Sequence, residues 1–213
     1  MTAKDAVLPH FSDLTNKQLD QLDAVAQTVW DWNQHINVIS RKDSEVIVRH
    51  VLHSLGIAKV MRFKPQSHVL DVGTGGGFPG LPLAVLHPET TFVLCDSIGK
   101  KIKVVQDAAQ AAGLTNVTAI HARAEDMEGK YDFVVSRAVT RMARFVAWLD
   151  GKVKKQGTHP LPNGILYLKG GDLSDELSEI SEPWHTTPLN LWFKDSFFDE
   201  KKVVHVDLSS SRV

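Results

Sequence analysis

The run Val69-Leu70-Asp71-Val72-Gly73-Thr74-Gly75-Gly76-Gly77-Phe78-Pro79-Gly80 constrains this chain more than any other stretch. The apolar residues before the glycines suit a buried parallel strand. The glycines allow a sharp turn and let the backbone approach a ligand closely. Pro79 and Pro82 fit the first turn of a following helix, where backbone N–H groups lack partners in any case. Strand, glycine loop and helix in that order make a nucleotide-type site.

The rest of the chain fits around it. Thr15-Asn16-Lys17-Gln18 has the spacing of a capping box. Leu19, Leu22, Val25, Ala26, Val29, Trp30 and Asn33 then follow a helical stripe. A second helix is expected from Ser44 to Leu55, capped by Ser44 or Asp43 and stopped by Gly56. Pro65 begins a connector to the glycine loop. Beyond the loop, strands are expected at Thr91–Cys95, Val117–Ile120, Tyr131–Val135 and Ile165–Leu168. Helices are expected at Gly99–Ala112, Val139–Leu149 and around Leu173–Ile180. Leu189–Phe193 and Lys202–Leu208 read as a terminal hairpin. Such alternation implies a doubly wound, mostly parallel sheet with an antiparallel edge. Residues 1–64 form a helical extension on this reading, and 65–213 one compact domain.

In open sheets of this kind ligands sit beyond the carboxyl ends of the strands. Asp96 ends the second strand, about 20 residues past the glycines, where an acid accepts hydrogen bonds from ribose hydroxyls. Gly75-x-Gly77-x-x-Gly80 matches a dinucleotide fingerprint. The overlapping Asp71-x-Gly73-x-Gly75-x-Gly77 keeps an acid before the first glycine and fits S-adenosylmethionine better. Ala124, Glu125 and Asp126 follow the third strand, and Ser136-Arg137 the fourth.

Composition narrows the class. Cys95 is the only cysteine, so an intrachain disulfide and a cysteine zinc site are excluded, and a reducing cytosol is expected. No metal site is expected. No apolar run approaches the roughly 20 residues of a membrane span. The net charge of −1 gives no bulk attraction to nucleic acid, but the charge is uneven. Arg137, Arg141, Arg144, Lys152, Lys154 and Lys155 face only Asp150 within their stretch. Lys100, Lys101 and Lys103 follow the second strand, and Arg41, Lys42, Arg49, Lys59, Arg62 and Lys64 mark the N-terminal part. Asp172–Glu200 is acidic. A near-neutral protein can thus present one basic face around its pocket. For a single lysine, ordinary solvated surface remains an adequate explanation. His50 and Ser54 share a helix face, as an RNA contact, a brace for the glycine loop or core residues. Cys95 and the Trp30–Trp32 pair are expected to pack in the core.

Several of these segments, taken together, resemble the bacterial small-subunit ribosomal RNA guanine-N7 methyltransferases, the glucose-inhibited division protein B family. They are Asn33–Ile39, Arg49–Leu55, Asp71–Pro82, Asp96–Lys101, Arg123–Asp126, Ser136–Ala138 and Leu168–Gly170. The chain departs from the family at His53, where an acid is usual, and at Glu200-Lys201-Lys202, where an arginine is frequent.

The resemblance implies a Rossmann-like class I methyltransferase fold with a seven-stranded sheet. It implies S-adenosylmethionine as donor and a guanine of 16S rRNA, naked or in its particle, as acceptor. By motif match Gly73, Gly75, Gly77, Phe78, Asp96, Ala124, Glu125 and Arg137 would contact the cofactor. Arg123, Arg141, Arg144, His50 and Lys169 are candidate RNA contacts. A cytoplasmic monomer is expected. Guanine N7 carries an available lone pair, so no general base is required. Competing readings are a small-molecule methyltransferase, a non-catalytic ribosome assembly factor and a nicotinamide dehydrogenase.

Overall fold

The computed structural model describes residues 1–39 and 45–210. A seven-stranded sheet runs in the order β3-β2-β1-β4-β5-β7-β6. The strands are β1 (His68–Val72), β2 (Thr91–Asp96), β3 (Val117–His121), β4 (Phe133–Arg137), β5 (Gly164–Gly170), β6 (Trp184–Pro188) and β7 (Lys201–Asp207). The first five are mutually parallel, and β7 lies antiparallel to both β5 and β6. The sequence order reverses between β1 and β4, the position at which open sheets bind ligands.

Alternate strand residues feed two cores, because successive side chains point to opposite faces. Val69, Phe133, Val135, Leu166, Leu168 and Val203 enter one, with the N-terminal helices, α4 (Gly80–Leu86) and α5 (Gly99–Ala111). Leu70, Val134, Ile165, Tyr167, Val204 and Val206 enter the other, beneath α6 (Met142–Trp148).

The helix α2 (Asn16–Asn33), which follows the short α1 (Ala3–Ala6), starts at the expected capping box. Thr15 Oγ1 accepts from Gln18 N at 3.2 Å, and Gln18 Oε1 accepts from Thr15 N at 3.1 Å. Its buried stripe of Leu19, Leu22, Val25 and Val29 joins the first core. Trp30 and Trp32 pack against that core, and Trp32 Nε1 also donates to Asp107 at 3.1 Å. Asn33 closes the helix by accepting the N–H groups of Val38 and Ile39.

Several boundaries differ from expectation. The expected start of the second helix, with Asp43 and Ser44, lies outside the described residues, as do Arg41 and Lys42. Its described part is π-helical over Ile47–Leu52 and continues as α3 (His53–Val60). Gly56 therefore does not stop the helix. A Cβ there would lie 2.8 Å from Leu189 Cδ1, so the glycine serves close packing. β4 begins at Phe133 rather than Tyr131, because Tyr131 bridges to Val153 and Asp132 turns its carboxylate onto His68 N. The helix expected at Leu173–Ile180 is the single turn α7 (Ser174–Leu177). Leu189–Leu191 is a 3-10 turn, and the hairpin partner of β7 is Trp184–Pro188 instead. The apolar Leu189 and Phe193 anchor that turn in the first core, whereas the edge strand is polar and largely exposed.

Candidate active site

The carboxyl ends of β1, β2 and β4 converge on a cavity of about 410 Å³. That volume lies within the usual range for small-molecule sites. Gly73 N and Thr74 N both donate to Cys95 O, at 2.9 and 3.0 Å, which ties the glycine loop to the end of β2. Gly75 N donates to Asp96 Oδ2 at 3.0 Å, and Ile98 N to Asp96 Oδ1 at 2.9 Å. Beneath the loop Asp71 Oδ2 accepts from Thr74 Oγ1 at 2.7 Å and Gly80 N at 2.8 Å. Complete burial pushes the Asp71 carboxyl up to about 7, against those hydrogen bonds. Asp71 thus braces the turn from below, while Asp96 lines the cavity.

Gly73 and Gly75 stand at φ 67° and 60°, a region that disfavours any side chain. Both line the cavity. Gly77 does not. It turns away at φ 96°, where a Cβ would lie 2.2 Å from Leu81 Cδ1, so it shapes the packing of loop on helix.

Phe78, Asp96, Ala124, Glu125, Arg123 and Arg137 are brought together around the same cavity. The Arg137 guanidinium lies 5.3 Å from the Phe78 ring centroid and donates to His50 Nδ1 at 2.8 Å and Arg49 O at 3.2 Å. Arginine can only donate, so the His50 ring accepts there as a neutral imidazole. Burial, with Arg137 and Arg49 adding to it, pushes His50 down to about 3. Ser54 Oγ donates to His50 O at 2.6 Å. His50 does not line the cavity; it braces Arg137 and Phe78 from behind. His53 is also buried, between the edges of Phe197 and Phe198. Its pKa lies well below the ordinary value through burial, with Arg137, Lys201 and His50 adding to the effect.

The remaining basic candidates separate. Arg144 is exposed, its guanidinium 5.1 Å from the ring centroid of Trp148, which lines the cavity. Arg141 is paired with Glu179 on the surface. Lys169 is nearly buried and paired with Glu176 at 2.6 Å. Neither Arg141 nor Lys169 reaches the cavity lining.

Lys101, of the basic set after β2, also lines it, and sequence reasoning missed Ile98, Val139 and Trp148, which do so too. Ile98 and Val139 are apolar yet 48% and 36% exposed at the cavity. No local pattern in the sequence distinguishes Trp148 from the other tryptophans.

The GidB family model, described as rRNA small subunit methyltransferase G, matches residues 18–202. Among curated relatives, a ribosomal RNA small subunit methyltransferase G of Flavobacterium psychrophilum is 55% identical over 205 residues, covering 96% of this chain and 98% of its own. One of the same name from Cytophaga hutchinsonii is 54% identical over 198 residues, covering 92% and 96%. Solved structures resemble the fold at lower identity. A S-adenosylmethionine-dependent methyltransferase from Aquifex aeolicus gives a TM-score of 0.58 at 13% identity, covering 77% of this chain and 93% of that one. A variant of MtNAS in complex with S-adenosylmethionine gives 0.57 at 13% identity, covering 90% and 72%.

Proposed function

The chain belongs to the rRNA small subunit methyltransferase G family, and from that premise we propose that it transfers a methyl group from S-adenosylmethionine to N7 of a guanine in 16S rRNA. The observation that carries this reading is the convergence of three family segments on one cavity: the glycine loop, Asp96 and Arg137.

The residues present fit the cofactor. Gly73 and Gly75 hold backbone conformations that leave the loop free of side chains on the ligand side. Asp96 uses one lone pair of each oxygen on Gly75 N and Ile98 N. A carboxylate offers about four such sites, so acceptors remain for the ribose hydroxyls. Ala124 and Glu125 line the same cavity and would meet the adenine, and Ile98 offers apolar contact. Bound there, S-adenosylmethionine supplies a methyl group already activated by its sulfonium.

The protein's task is then orientation. Guanine N7 has its lone pair free at neutral pH, so no residue need remove a proton before attack. Holding N7 in line with the methyl group can supply up to roughly 7–11 kcal/mol of barrier reduction. Arg137 is held by His50, Arg49 and Phe78, so its charge is fixed in place at the cavity wall. It suits the guanine O6 edge or a phosphate. A base within folded rRNA must be splayed out to reach this depth. Arg123 and Arg144 at the rim suit the flanking backbone. The substrate is the rRNA or its particle, and the protein acts as a cytoplasmic monomer. Among the described residues no helix is long and apolar enough to cross a membrane.

The test is methyl transfer from labelled S-adenosylmethionine to small-subunit particles lacking the modification. Labelled 7-methylguanosine is the expected product. Label in another nucleoside, or none from protein that binds the cofactor, overturns the reading.

A further inference from the structure

The loop between β4 and α6 forms one wall of the cavity and is gripped from behind. Ala138 stands at φ 54°, a left-handed conformation unfavourable for a residue with a Cβ. Val139 lines the cavity and presses on the glycine loop: a Cβ at Gly73 would lie 2.5 Å from Val139 Cγ2. On the far side Tyr167, fully buried on β5, accepts hydrogen bonds from Val139 N and Thr140 N, both at 2.9 Å. Its hydroxyl donates to Thr140 O at 3.1 Å. One proton and two lone pairs are all a phenol offers, so the group is fully committed to this loop. Lys169 Nζ donates to the same carbonyl at 2.6 Å and to Glu176 Oε1 at 2.6 Å, and it lies 4.2 Å from the Tyr167 ring centroid. Glu176 Oε1 accepts from Met142 N at 2.7 Å. Three side chains from β5 and α7 thus satisfy four backbone groups between Val139 and Met142. A strained residue persists where its surroundings over-determine it, and such residues cluster at functional sites.

We propose that Tyr167 is a positioning residue for methyl transfer: its hydroxyl fixes the Ala138–Thr140 wall that sets how the acceptor base meets the methyl group. The inference rests on the function proposed above. Without the hydroxyl, two N–H groups and one carbonyl lose a partner. Ala138 is then free to leave its left-handed conformation, and Val139 to withdraw from Gly73. In-line transfer tolerates this poorly, since a misplacement of about 1 Å can cost roughly 100-fold in rate. Cofactor contacts through Gly75 and Asp96 do not run through this loop. Lys169 belongs to the same grip rather than to an RNA surface.

The test is Tyr167→Phe in the full chain, which removes one oxygen and keeps the ring. Three readouts are needed: amide hydrogen exchange, cofactor affinity by calorimetry, and single-turnover transfer to small-subunit particles at saturating cofactor. Exchange at Val139 and Thr140 is expected to quicken by about tenfold or more, with the β1 and β2 amides unchanged. Transfer is expected to fall by roughly 10–100-fold, while cofactor affinity stays within about threefold. A wild-type transfer rate, unchanged exchange at both amides, or a rate loss matched by the loss of affinity would overturn the proposal. If the unaltered protein transfers no methyl group, the functional reading fails instead. Unchanged exchange at the two amides still refutes the grip in that case.

Discussion

At the scale of single residues, the site divides its acids by depth. Asp71 is sealed beneath the glycine loop and braces it, while Asp96 does two things at once. It holds the loop through Gly75 N and Ile98 N, and it keeps lone pairs toward the cavity. Hydrogen bonds to a charged group are each worth about 1.5–3 kcal/mol. Asp96→Ala is therefore expected to weaken S-adenosylmethionine binding by roughly 10–100-fold, read by calorimetry. An unchanged dissociation constant would remove Asp96 from the site. Arg144 predicts the opposite selectivity. Its guanidinium is exposed over Trp148 at the rim, so Arg144→Glu should weaken binding to an rRNA fragment more than to cofactor. If Arg144 meets a phosphate, the salt dependence of RNA binding should also fall by about one counterion. RNA affinity and salt slope equal to the parent would show that this helix faces elsewhere.

Among elements, what the sequence made legible was governed by short-range chemistry. The glycine loop, the α2 capping box and Asp96 at the end of β2 all depend on neighbours within a few residues. Features set by distant contacts were hidden. The start of α6 waits until Met142 because Tyr167, more than twenty positions on, holds Val139 and Thr140 out of the helix. The edge strand β6 escaped notice because it is polar, and the apolar run after it is a packed turn. Gly56 resembles a helix stop but lies inside a helix against Leu189. This last contact gives a prediction with a change of sign. Alanine favours a helix interior over glycine by about 1 kcal/mol. Here its methyl would collide with the buried Leu189 side chain. Gly56→Ala should destabilise the parent protein yet stabilise a Leu189→Ala background. Urea unfolding of the four proteins in this cycle measures the coupling, expected at about 1–3 kcal/mol. Additive effects would mean that the two residues do not constrain each other.

For the whole molecule, the central strands β1, β4 and β5 are buried, and several histidines are buried as well. Their titration sets how stability depends on pH. His50 is pushed down to about 3 and His87 to about 4, burial being the main cause in each. His53 and His205 are lowered in the same way. A histidine neutral in the folded chain takes up a proton on unfolding once the pH is below about 6.5. The stability these groups contribute is therefore whole above that value. It is lost as pH falls toward their folded-state values. Asp71 acts in the other direction. Raised to about 7, it keeps its proton in the folded chain while the unfolded chain releases it near 3.8. Its contribution is whole below 3.8 and is lost as pH rises through about 7. Between these limits one carboxyl opposes four histidines, so the unfolded chain binds more protons and stability must rise with pH. Urea unfolding should show a slope steeper than about 1.4 kcal/mol per pH unit between roughly pH 5 and 6, the value for a net single proton. His87→Gln should make that slope shallower by close to one proton, because its ring packs on Phe63 remote from the cavity. A flat profile would mean that the buried histidines carry their charge in the folded protein. The neutral acceptor role of His50 toward Arg137 would then fail with it.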